Sequence, residues 1–173
     1  MKKAYLIIIG RGLFGGDWIP ILKDKKYFFK KELENSLSRK YNERQRLSPG
    51  VKYKVYILSG DEIEKKQERT TANLKKLAEQ KFRLKSFEDT KGEGAFLVRL
   101  EISNEKMKEM GYEYMATLHE SFEDDYGDCG HIVFDHFPKD NIYLYYEDMN
   151  DYWAKKGGFI FLEKIEKKIK KPL

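Results

Sequence analysis

The amino-acid sequence predicts a mixed α/β or α+β fold in one domain, with a central mixed sheet of about five to six strands, two long helices and a hairpin-containing C-terminal half. Three observations predict it. Short apolar or alternating segments of strand length recur at residues 4–9, 51–58, 95–102, 131–137, 141–146 and 159–165. Residues 27–45 and 59–85 instead carry apolar side chains at helical spacing. Pro138-Lys139-Asp140 separates two aromatic-rich segments, as a hairpin turn would. Hydrophobic residues make up 40% of the 173 positions and there are only four prolines, which argues against general disorder. The whole chain, 1–173, is expected to be one globular domain with a short basic tail over 166–173.

Each element has its own signal. Residues 4–9 form a continuous run rich in β-branched side chains and closed by Gly10, which predicts a buried strand in the middle of the sheet. Gly10, Gly12, Gly15, Gly16 and Pro20 predict a loop or irregular connection over 10–26. Phe29, Leu33, Leu37 and Tyr41 recur every four residues, so a helix is expected over 27–45, followed by a turn at Ser48-Pro49-Gly50. Val51, Tyr53, Val55 and Ile57 alternate with Lys52, Lys54 and Tyr56 in a second strand. Ser59 and Glu62 have capping-box spacing. Ile63, Thr70, Leu74, Leu77 and Ala78 would then line one face of a long helix reaching residue 85. Residues 95–102 read as a third strand, and 104–110 as a short helix stopped by Gly111. Residues 112–118 suit a strand or a short helix, and 120–130 an acidic loop. Strands 131–137 and 141–146 should pair; 148–156 should form one or two helical turns, and 159–165 a final strand.

Charge is distributed unevenly. Residues 113–151 hold eleven acids against one base, Lys139, a net of −10, while the remainder of the chain carries +15. Such asymmetry selects encounter partners rather than a fold. The longest apolar stretch near the start is too short to span a bilayer, and no signal-peptide core develops there. With a single cysteine, a reducing cytoplasmic setting is expected, without membrane association.

Several clusters could carry chemistry. Gly10-Arg11-Gly12-Leu13-Phe14-Gly15 satisfies G-x-G-x-x-G directly after a strand, where backbone amides can meet a phosphate. Pro20 and the lack of an acid at a following strand end depart from the dinucleotide-binding pattern. His119, Cys129, His131 and His136 gather every histidine and the sole cysteine beside Asp135, types that suit a transition metal or water activation, although the spacing matches no metal motif. Cys129 lies next to Asp125 and Asp128, whose charges disfavour a thiolate nucleophile. Lys65, Lys66, Arg69 and the lysine-rich tail offer phosphate contacts, with direct nucleic-acid binding the lesser expectation.

The leading expectation is a non-enzymatic interaction protein. Glu120, Glu123, Asp124, Asp125 and Asp128, with Glu147, Asp148 and Asp151, would present an acidic surface flanked by Tyr146 and Trp153. Its partner would be a basic protein such as a nuclease or another nucleic-acid-binding effector. That implies an inhibitor, immunity or anti-defence role in which carboxylates mimic a phosphate backbone. No cofactor or metal enters this reading. The competing expectation is a metal-dependent or nucleotide-directed hydrolase built on the histidine cluster or the glycine-rich loop.

Overall fold

The computed structural model describes residues 4–39, 43–123, 129–136, 141–146 and 152–166. The mixed α/β class holds, with seven strands among the described residues rather than five or six. In chain order the elements are β1 (Leu6–Ile9), α1 (Gly15–Asp24), β2 (Phe28–Phe29), α2 (Lys31–Arg39), β3 (Lys52–Ser59), α3 (Thr71–Phe82), α4 (Gly92–Glu101), α5 (Asn104–Glu109), β4 (Tyr114–Glu123), β5 (Cys129–Asp135), β6 (Asn141–Tyr146) and β7 (Gly157–Lys164). The sheet order is β1-β3-β7-β4-β5-β6-β2, with β4–β7 and β2–β6 parallel and the other pairs antiparallel.

Strand alternation builds two cores, one on each face. In β7, Ile160 and Leu162 join the first and Phe159 and Phe161 the second. The first face is covered by α1, α2 and α4, through Trp18, Leu22, Leu33, Leu37, Phe96 and Val98. On the second face Leu74, Ala78 and Phe82 of α3 pack on Tyr56, Leu58 and Phe161. Trp153 joins that core from the connection between β6 and β7.

The run at the start of the chain is not central. β1 is an edge strand, hydrogen-bonded to β3 alone among the described strands, and Ile7 and Ile9 remain 56% and 51% exposed. Only Ile8 of this strand is fully buried, so apolar content here marks an open edge rather than an enclosed position. Residues 15–24 form a helix despite Pro20, which forfeits only the amide bond to Gly16 four residues earlier. The helix expected over 27–45 is broken into β2, α2 and a 3₁₀ turn at Glu43–Gln45. Ser59 and Glu62 do form a capping box, but on a single 3₁₀ turn; the long helix starts later, capped by the Thr70 hydroxyl.

The strand expected at 95–102 is helix α4. Every residue from Gly92 to Arg99 is buried, because the helix lies between the sheet and α1 and so shows no polar stripe. Gly94 allows the approach: a Cβ there would stand 2.5 Å from Cδ1 of Leu162. Arg99, the charged residue of that buried run's end, has its guanidinium 4.4 Å from the Tyr27 ring centroid and 5.3 Å from that of Phe134, and it donates to the Ile102 carbonyl at 2.8 Å. Strand β4 resolves the ambiguity at 112–118, and β5 and β6 pair antiparallel as expected. Residues 152–156 contain no helix, and 148–151 lie outside the described residues. No helix among the described residues is long and apolar enough to cross a membrane.

Candidate functional site

The glycine-rich loop has already captured an anion, and it is internal. Glu93, wholly buried in the first turn of α4, accepts from the amides of Arg11 and Leu13 on Oε1, each at 3.2 Å. Its Oε2 accepts from Gly12 at 3.2 Å and from Leu47 at 2.6 Å. Gly12 permits the wrap with φ +67°. Arg46 fixes the outside, donating to the Gly12 carbonyl at 2.7 Å with its guanidinium 4.1 Å from the Phe14 ring centroid. Burial raises the Glu93 carboxyl above its ordinary pKa, and the four amide bonds oppose that shift. The loop therefore uses phosphate-binding geometry to hold its own carboxylate.

The histidine cluster is also committed to the fold. Between Thr117 and Phe122 the register of β4 against β5 slips, and His119 enters the gap. Its Nε2 accepts the Ile132 amide at 3.1 Å, and its Nδ1 donates to the Glu120 carbonyl at 2.5 Å. The imidazole thus replaces a missing ladder partner in one neutral tautomer. Burial, helped by nearby His131, pushes its pKa down to about 3. His131 is 3% exposed, its ring 5.2 Å from that of His119, while His136 is half-buried beyond the end of β5. Among the described residues, no three His, Cys, Asp or Glu side chains stand close enough to hold a metal ion.

The acidic segments remain. Asp124, Asp125, Asp128, Glu147, Asp148 and Asp151 lie outside the described residues, but their flanks are in place. Glu123 is opposite Cys129, Phe122 opposite Gly130, and Gly130 opposite Tyr146. The start and end of the first acidic stretch and the start of the second therefore meet at one end of three adjacent strands. Glu120 is exposed at that end.

The two aromatic flanks expected from the sequence are not brought together. Tyr146 packs against the first core, whereas Trp153 is 4% exposed and belongs to the second. Trp153 is a structural anchor: Nε1 donates to Thr71 Oγ1 at 2.8 Å, and its carbonyl accepts from Arg69 Nε at 2.8 Å. Arg69, expected as a phosphate contact, is buried and also holds the carbonyls of Ile63 and Glu64. Tilted by 36° against Trp153, with ring centroids 4.5 Å apart, is Tyr145. With Tyr114, Tyr143 and Tyr152 they line a half-open pocket of about 160 Å³ on the second face. Burial and the neighbouring Asp135 raise the Tyr143 hydroxyl, so that phenol stays neutral. Period-two alternation in 141–146 was the available signal that Tyr143 and Tyr145 share a face while Tyr146 takes the other.

No protein-family model, curated protein or solved structure matches this chain.

Proposed function

We propose that this chain is a binding protein that docks a basic partner through the acidic end of β4, β5 and β6. The observation that supports the reading is the register that gathers the flanks of both acidic stretches, Glu123–Cys129 and Tyr146, at one place on the sheet. Charges concentrated there attract a cationic surface over about one Debye length and speed encounter. The half-buried Tyr145 and Tyr152 rings offer contact area on the second face. In this reading the partner is a basic nucleic-acid-binding protein, a nuclease included, and the carboxylates take the place of phosphates. The alternative hydrolase depends on a loop whose amides are engaged by Glu93 and a histidine whose two nitrogens are engaged by backbone.

The test compares affinity capture from the native host by wild type, by Asp124/Asp125/Asp128→Asn and by Glu147→Gln/Asp148→Asn/Asp151→Asn, at low and moderate salt. One shared partner, lost from both variants and weakened by salt, is expected. A partner retained by both variants would overturn the reading.

A further inference from the structure

We infer that β1 is the interface for a second copy of this chain, joined antiparallel across a two-fold axis so that two seven-stranded sheets become continuous. Gly10 directs both its amide and its carbonyl toward β3, donating to Val51 O and accepting from Gly50 N, each at 2.9 Å. Antiparallel alternation then turns the amides and carbonyls of Ile7 and Ile9 away from β3, toward the open edge. Among the described residues, three of the five exposed large hydrophobic side chains, Tyr5, Ile7 and Ile9, fall in this one segment.

The two sheet edges are treated differently. β2, at the far edge, is two residues long and is followed immediately by Lys30 and Lys31, the usual means of discouraging strand addition. β1 has neither a charge nor a proline between Leu6 and Ile9. A groove of about 380 Å³ runs beside it, with Leu97 and Leu100 of α4 as its floor.

Charge placement selects a second copy as the occupant. Arg11 and Glu101 both border this groove. Because Glu93 at the start of α4 binds the amides of residues 11–13, α4 runs back along β1, and about 12 Å of helix carries Glu101 to the opposite end from Arg11. A groove with a cation at one end and an anion at the other is self-complementary only when inverted. Centring the axis at Ile8 places Ile7 opposite Ile9 of the copy, each such pair exchanging two backbone hydrogen bonds, and brings Arg11 to the end bearing the copy's Glu101.

Sedimentation velocity from about 1 to 200 μM, a range that resolves micromolar dissociation constants, should show a monomer–dimer equilibrium. Ile7→Lys should leave a folded monomer by circular dichroism. Arg11→Glu and Glu101→Arg should each raise the dissociation constant about tenfold, and the double reversal should restore it. These two positions are exposed, so the reversals remain informative if Ile7→Lys does not fold. A chain that stays monomeric overturns the inference, whether its Ile7 and Ile9 amides exchange freely or are protected by another segment of its own. So does a dimer whose affinity ignores the reversals. None of these outcomes depends on the acidic end.

Discussion

Replacing Glu93 with glutamine preserves shape while removing half of the acceptors in the glycine-rich loop. The carboxylate satisfies Arg11 and Leu13 with one oxygen and Gly12 and Leu47 with the other. An amide has one oxygen, so in either orientation its NH₂ faces two backbone donors. A stranded donor costs about 1–3 kcal/mol when fully buried, as those of Gly12 and Leu47 are, giving up to about 2–6 kcal/mol for a pair. Burial penalises the ionised carboxylate, as its raised pKa records, and the neutral amide relieves that part. The expected net loss is about 2–4 kcal/mol, which for a chain of this size lowers Tm by about 6–12 °C. Differential scanning calorimetry measures it directly. In Glu93→Ala the emptied space should accept formate, and added formate should recover part of the lost Tm. A Glu93→Gln melting temperature within about 2 °C of wild type would refute the reasoning, since no buried donor would then depend on the second oxygen.

Two further perturbations test the fold that holds these sites. His119 has a folded pKa of about 3 against an ordinary 6.5, so its proton binds preferentially to the unfolded chain. Its contribution to stability is complete above pH 6.5 and lost as pH falls toward 3. Unfolding free energies from urea titrations of wild type and His119→Phe, compared between about pH 6 and 4.5, should differ in pH slope by about 1.4 kcal/mol per pH unit, and parallel slopes would contradict the buried neutral ring. Gly12→Ala should destabilise by about 2–4 kcal/mol in chemical denaturation, combining the left-handed backbone with steric overlap. Its Cβ would meet Pro49 Cγ at 2.4 Å.

Legibility in the sequence followed the range of the interactions involved. Alternation at Val51, Tyr53 and Val55 and the antiparallel pairing of 131–135 with 141–146 were readable because strand period is local, while the turn expected at Pro138-Lys139-Asp140 lies outside the described residues. Helix α4 was not: contact with the sheet on one side and α1 on another makes Ala95, Phe96, Leu97 and Val98 a continuous apolar run, the same signature as a buried strand. For β1 the error ran the other way, since an apolar run states that a side chain prefers cover without stating that the fold supplies it. The glycine loop was correctly placed after a strand. Its ligand was hidden because Glu93 is some eighty positions away in sequence and carries no motif. The histidines were conspicuous by composition alone, while the slip in β4 that gives His119 its task depends on pairing with β5.

The last described strand is also the one that closes the middle of the sheet. β7 lies between β3 and β4, pairing Tyr53 with Lys164 and Thr117 with Ile160, and supplies side chains to both cores. During synthesis, β1 and β3 on one side and β4, β5 and β6 on the other emerge before the strand that joins them. Until residues 157–164 leave the ribosome, two unjoined sheet margins are exposed at once, and the nascent chain passes through a period of vulnerability to wrong pairing that the finished molecule no longer displays.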